Sequence, residues 1–330
     1  MKHLSIVIPE GTLILDTIVA TLNLFNMANS YAKRIGLRQD NAFDIDLVAK
    51  TKAPITCHKF FNVTPTKIIE EIQKTDVIII TSITGDIETA LGKNKALIDW
   101  IKKQRITHGS QIVSLCRSAF ILAETGLLNG KSCTTHWAVH QQFAKKYDKI
   151  NLHPDKIISE DNGIYSSGGA YSFLNMVIYL IEKYYGREVA IWCSKMSEID
   201  FDRISQNQFV IFSGQKEHGD ETIKAVQLYI EEHFEDKFNV EALAKKFAIS
   251  TRNFIRRFKK ATQNTPFEYI QRVKVEVAKK SFETSTQSIN EVMYNVGYMD
   301  EKAFRKTFKK YTGLSPLAYR RKYNREMAMA

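Results

Sequence analysis

The 330-residue sequence has four cysteines, Cys57, Cys116, Cys133 and Cys193, far apart, with no Cys-x-x-Cys pair and no histidines at finger-like spacing. That scarcity excludes a disulfide framework and a structural zinc site, so no metal or other cofactor is expected. No apolar run approaches the roughly 18 to 20 residues a membrane span requires. The opening MKHLSIVIPEG reaches Glu10, and soon Asp16, too early for a secretory signal, so the expectation is a cytoplasmic chain with no membrane partner. A hydrophobic content of 44% suits an ordinary globular protein, and the length allows two separate cores. The net charge of +11 is unevenly shared: residues 221–330 hold 22 Lys and Arg against 13 Asp and Glu, whereas the first 220 hold 25 against 23. Positive charge concentrated in the last third points to a phosphate-rich partner.

That basic third contains a repeat. Residues 252–269 laid over 302–319 match at seven of 18 positions, including Phe254 with Phe304, Phe258 with Phe308 and Pro266 with Pro316. Upstream of each copy, NVEALAKKFAIS and SINEVMYNVGYMD carry apolar residues at helical spacing, so each unit reads as helix, tight turn, helix. Ser250 and Asp300 are expected to cap the second helix of each unit, and the paired phenylalanines to form its buried stripe. A rotation of 100° per residue then exposes Arg252, Arg256 and Lys259 in one copy and Lys302, Lys306 and Lys309 in the other. Recurrence of cations at one phase in two copies favours groove-facing helices over soluble surfaces, and double-stranded DNA is the partner. Between the copies, PFEYIQRVKVEVAKKSFET reads as one helix of nineteen residues, a rod of roughly 28 Å.

The stretches LAKKFAISTRNFIRRFKK, TPFEYIQRVKVEVAKKSF and INEVMYNVGYMDEKAFRKTFKKYTGLSPLAYR resemble the AraC/XylS DNA-binding domain over the last 110 or so residues. The resemblance implies an all-α domain of seven helices with two helix-turn-helix units.

Over the first 212 residues, β-rich runs (HLSIVIP, FDIDLVAK, TDVIIITS, GSQIVSLC, GIYSSGG) alternate with helical ones such as TIVATLNLFNMANSYAKRI and KALIDWIKKQ. This order predicts an open, flavodoxin-like α/β sheet with helices on both faces. Cys116 falls where the run QIVSL gives way to a helical pattern, beyond the carboxyl end of a strand, which is where such sheets bind ligands. A helix N-terminus there is expected to lower the thiol pKa.

The segments CRSAFILAETGLLNGKSCTTHW, LILDTIVATLNLFNMAN and YSSGGAYSFLNMVIYLIEKYYG resemble the ThiJ/PfpI branch of the class I glutamine-amidotransferase-like superfamily. The resemblance implies a site of Cys116 at the elbow, Asp16 after the first strand and His136 after a later one. It departs from the family at Ser118, where glycine is usual, and at Arg117. Both bulk up the elbow, which speaks against catalysis, while Arg117 can stabilise a thiolate or grip an anionic ligand.

Other motifs carry less. His153-Pro154-Asp155 reads as a loop, GLLNGKS falls one residue short of a phosphate-binding loop, and Ser166-Ser167-Gly168-Gly169 reads as a turn. The sequence therefore yields a sensor domain over 1–212, a linker over 213–220 and a DNA-binding domain over 221–330. The expected function is ligand-responsive transcription regulation without catalysis. A small-molecule effector is expected at Asp16, Cys116, Arg117, Ser118 and His136, and a homodimer through the first domain. The alternative is a cysteine-dependent amidase or hydratase fused to a DNA-binding domain.

Overall fold

The computed structural model describes residues 1–57, 59–201 and 203–324. The chain divides into two compact units, 1–206 and 207–330.

The first unit is built on a seven-stranded sheet in the order Ile158–Asp161, Ile164–Ser167, Gln111–Ser114, Val77–Ile80, Lys2–Val7, Phe43–Ala49, Lys67–Ile68. All neighbours are parallel except the Ile158–Asp161 edge, which returns antiparallel through a tight hairpin. Parallel strands need covering on both faces, and the sequence supplies unbroken apolar runs such as Val77-Ile78-Ile79-Ile80. Along that run Ile78 and Ile80 enter one core while Val77 and Ile79 enter the other, following the two-residue period of a strand. Helices α1 (Leu15–Arg34), α6 (Ser172–Tyr185) and α7 (Arg187–Met196) close the second face. Helices α2 (Ile87–Lys93), α3 (Lys95–His108), α4 (Ala119–Glu124) and α5 (His140–Lys146) close the first.

Strand register positions the site. Val7 pairs with Ile80, Ile80 with Ser114, and Ser114 with Ser166, so four strands finish in one row. The chain runs from the first strand to one side of the sheet and then returns to the other, so a crevice opens beyond that row where strand order reverses.

The second unit consists, among the described residues, of α8 (Glu221–Glu232), α9 (Val240–Lys246), α10 (Thr251–Thr262), α11 (Pro266–Thr284), α12 (Ile289–Asn295), α13 (Glu301–Thr312) and α14 (Pro316–Tyr323). The repeat is structural to the atom: the hydroxyl of Thr262 donates to Phe258 O at 2.8 Å, and that of Thr312 to Phe308 O at 2.8 Å. Two cores form, one around Phe254, Phe258 and Tyr269, the other around Phe304, Phe308 and Tyr319. Helix α11 spans the nineteen residues expected, its first half in one core and its second half in the other. Asp300 caps α13 through Ala303 N at 2.6 Å, but Ser250, although at the cap position of α10, makes no side-chain cap bond, which corrects that expectation.

Residues 207–220, which include the stretch read as a linker, lie on the helices of the second unit. The Phe212 and Tyr269 rings meet edge to face at 5.2 Å, Lys279 Nζ donates to Val210 O at 2.7 Å, and Arg257 grips Asp220 through Nε at 2.8 Å. The side chain of Lys274, buried in α11, ties two turns together by donating to Asp236 O at 3.1 Å and Gly297 O at 3.5 Å. Gly297 itself sits at φ +72°, and a Cβ there would stand 2.0 Å from Glu235 O. Gly297→Ala is therefore expected to destabilise the second unit by roughly 3 kcal/mol or more, because both the backbone angle and the space refuse a side chain. Gly219→Ala, where a Cβ meets open space, is the control and should stay within about 0.5 kcal/mol. Urea unfolding of both variants checks the pair.

Candidate functional site

A cavity of about 370 Å³ lies just beyond the row of strand ends, lined by residues that include Asp16, Thr84, Cys116, Arg117, His136 and Tyr171. Cys116 stands two residues past the row, in a 3-10 turn (Cys116–Ser118) that leads into α4. Its φ of +57° is unusual for any residue but glycine, and Ala170, also in the cavity lining, repeats it at +47°. The conformation is held by neighbours: Cys116 N donates to Ser167 Oγ at 3.1 Å, and Thr135 Oγ1 donates to Cys116 O at 3.1 Å. Backbone angles of this kind persist where surrounding contacts over-determine them, often at functional sites.

The thiol is 2% exposed. Burial pushes its pKa up, outweighing the Ser82 hydroxyl, the Ala170 and Arg117 backbone N–H groups and the Arg117 charge, all of which favour the thiolate. The expected lowering by a helix N-terminus is thus overturned, since desolvation of a thiolate costs more than a short helical turn returns. Burial thus favours the neutral thiol over the thiolate at Cys116. Cys133, also buried, is pushed up to about 12.

His136 precedes a short turn, Trp137–Val139, and its Nδ1 accepts the Ala138 N–H at 3.0 Å. The neutral ring therefore carries its proton on Nε2. Burial and the Arg117 charge lower its pKa. A folded-state pKa held below the unfolded value of about 6.5 gives stability that is complete above that pH and is lost as pH falls through the lowered value. The first unit should accordingly unfold at a lower temperature at pH 5 than at pH 7.5, and His136→Asn should shrink that difference. An unchanged difference would remove His136 as its source.

Arg117 Nη1 donates to Thr84 Oγ1 at 3.0 Å, and Asp16, in the first turn of α1, accepts the Tyr171 hydroxyl at 3.0 Å. Ser118 is the exception among the five residues expected here. Its side chain turns into the protein and donates to Ile80 O at 2.8 Å, so it neither lines the cavity nor crowds the elbow. Thr84, Ala170, Tyr171 and Phe173 were not anticipated. For the last three, the one signal in the sequence is the Gly168-Gly169 pair just before Ala170, which by itself reads as a simple turn. A Cβ on Gly169 would lie 2.3 Å from the His136 ring, so the glycine is required by that approach. Among the described residues, no cluster of three or more His, Cys, Asp or Glu side chains can hold a metal ion. No described helix is long and apolar enough to cross a membrane.

In the second unit, Arg252, Arg256 and Lys259 are exposed on α10, and Lys302, Lys306 and Lys309 on α13, each opposite its buried phenylalanine pair. Among the described residues none of the six is paired with a carboxylate. Arg256 Nη2 donates to Asn253 Oδ1 at 2.8 Å. By contrast Arg257 is taken up by Asp220, and Arg305 by Glu301 on its own helix.

Two family models match the chain: a DJ-1/PfpI family model over residues 26–183 and a helix-turn-helix domain over residues 243–322. The transcriptional regulator GbdR of Pseudomonas aeruginosa is 23% identical over 215 residues, 63% of this chain; the match spans only 57% of that relative's length. CdhR of the same species is 22% identical over 287 residues, 85% of this chain and 84% of the relative. Isonitrile hydratase of Pseudomonas putida is 26% identical over 148 residues, 44% of this chain and 61% of that enzyme. Drosophila melanogaster DJ-1beta shares the fold at a TM-score of 0.50 and 16% identity, over 61% of this chain and all of that one.

Proposed function

We propose that the chain, which matches a DJ-1/PfpI family model over residues 26–183 and a helix-turn-helix domain model over residues 243–322, is a sequence-specific DNA-binding transcription regulator of the AraC type whose cavity at Cys116 senses a small metabolite. The observation that carries this reading is the set of six cations at one phase on α10 and α13, none of them paired with a carboxylate among the described residues. Two such helices, joined by a rod of roughly 28 Å, suit successive major-groove segments of one duplex. The regulators GbdR and CdhR support it by similarity.

For the effector, the cavity offers a carboxylate at Asp16, a guanidinium at Arg117 and apolar walls at Ile14 and Phe173. A small nitrogenous compound bearing both charges, such as an amino acid, fits that lining. A homodimer through the first unit and action in the cytoplasm belong to the same reading. The dimer is tested by sedimentation of the full chain.

A second reading, a thiol enzyme, is favoured by the left-handed elbow at Cys116 and by the similarity to isonitrile hydratase. Two features weigh against it. Burial disfavours the thiolate, and the His136 Nδ1 that a catalytic histidine would turn toward an orienting acceptor is occupied by the Ala138 N–H. A thermal-shift screen of small nitrogenous and amino-acid metabolites tests the sensor reading, since a ligand of the native state raises its apparent stability. A stabilising compound recovered unchanged supports sensing; one consumed by the protein supports the enzyme.

A further inference from the structure

The outer face of α10 carries one side chain that its cations do not account for. Ile255 stands three residues after Arg252, four before Lys259 and directly beside Arg256. That spacing makes Arg252 and Lys259 its neighbours on the helix surface. It is 39% exposed and takes no part in the core around Phe254 and Phe258. Among the described residues of α10 and α13, no other large apolar side chain is exposed. An isoleucine in such a place does nothing for the helix itself, since it forms helix less readily than lysine or glutamate and leaves its methyl groups in water. Branching at Cβ does fix χ1 in a helix, so those methyl groups are held in one position beside the cations.

The repeat supplies the comparison. At the offset of fifty, Ile255 corresponds to Arg305, Arg256 to Lys306 and Asn253 to Ala303. Arg305 pairs with Glu301 one turn back on its own helix, so the equivalent place in the second copy is polar and already engaged. The first copy therefore sets an apolar group beside the planar fork of Arg256, which Asn253 steadies, whereas the second offers mobile ammonium groups. In the major groove, guanidinium and ammonium groups are matched by base acceptors and phosphates, and the apolar group presented there is the C5 methyl of thymine. A protein covering Ile255 would also have to desolvate the three cations around it. A duplex instead pairs them with phosphates and base edges in the same act.

We propose that Ile255 recognises the C5 methyl of a thymine beside the base that Arg256 reads, so that sequence choice is concentrated in the half of the site that α10 enters. This rests on the reading of the second unit as DNA-binding, with α10 in the major groove. The contact withdraws one thymine methyl from water, which is worth about fourfold in affinity over the same base pair without it. Position 305 presents no such surface, so the half entered by α13 should show no dependence on thymine methyl groups.

The experiment uses the full chain and a duplex carrying a site that the wild-type chain selects from a random pool. Each thymine is replaced in turn by deoxyuridine, which keeps the base pair and removes only the C5 methyl, and affinity is read by fluorescence anisotropy. In wild type, one replacement in the half where Arg256→Ala relaxes base preference should weaken binding about fourfold, and replacements in the other half should leave it unchanged. Ile255→Ala should bind the thymine and deoxyuridine duplexes alike. Ile255→Val, which keeps a branched side chain, should retain part of the difference. Full methyl discrimination in Ile255→Ala overturns the proposal, as does methyl dependence confined to the other half. A wild-type chain that binds the duplex yet senses no thymine methyl overturns it too. Failure of wild type to bind any duplex instead overturns the DNA-binding reading beneath it.

Discussion

Replacing Arg252, Arg256 and Lys259 together by alanine should lower affinity for duplex DNA by roughly a hundredfold or more at physiological salt. Each base-reading or phosphate-gripping cation is worth about 1 to 3 kcal/mol, and among the described residues none of the three has a carboxylate partner that would have to be surrendered on binding. The dependence of log affinity on log salt should also become shallower, by about 0.9 for each phosphate contact removed. The three side chains are exposed on α10 and leave Phe254 and Phe258 in place, so the helix should keep its far-ultraviolet circular dichroism. Single substitutions should divide the labour. Arg256, steadied by Asn253, presents a planar fork suited to guanine, whereas Lys306 is a mobile point charge suited to phosphate. Arg256→Ala should therefore relax sequence preference more than Lys306→Ala. Equal, sequence-independent losses in selected and random duplexes would contradict that division.

The second large effect is expected at Cys116. A tryptophan there fills much of a cavity of about 370 Å³, so Cys116→Trp should abolish the response of a reporter to effector while DNA binding by the second unit persists. Cys116→Ser barely changes volume and replaces a thiol whose ionisation burial already disfavours. It should leave the response largely intact, because a sensor needs the shape and polarity of the pocket whereas an enzyme needs the thiolate. Loss of response in the serine variant, with consumption of the ligand by wild type alone, would favour covalent chemistry instead.

The repeat was fully legible because two independent signals coincide, identities at an offset of fifty and apolar residues at helical period. Each buries one face and so leaves the other predictable. Cys116 was legible because a strand-like run ending in a helical pattern locates an elbow without any tertiary information. What lies around an elbow is another matter. Ser118 looked like an obstruction, yet the direction of its side chain depends on the left-handed turn at Cys116, which sequence does not display. The thiol pKa was misjudged for a similar reason, since proximity to a helix end is local while burial by distant segments is not. Tyr171 comes to the cavity from the turn before α6, and Gln206, which does not line it, binds the loops behind it through partners 37 to 72 positions away. A single glutamine in the polar run SQNQ has no periodicity to announce it. Residues 213–220 read as a linker on polarity alone, whereas the anchors of this region, Phe209 and Phe212, lie just upstream and are too widely spaced to register as an element.

Occupancy of the cavity should change DNA affinity without chemistry. The measurement is fluorescence anisotropy of a labelled, selected duplex titrated with the full chain, with and without a compound that raises thermal stability in wild type but not in Cys116→Trp, together with mass-spectrometric recovery of that compound. The predicted result is a shifted DNA affinity with the compound recovered intact. An unshifted affinity while the cavity is occupied, or steady conversion of the compound, would contradict it.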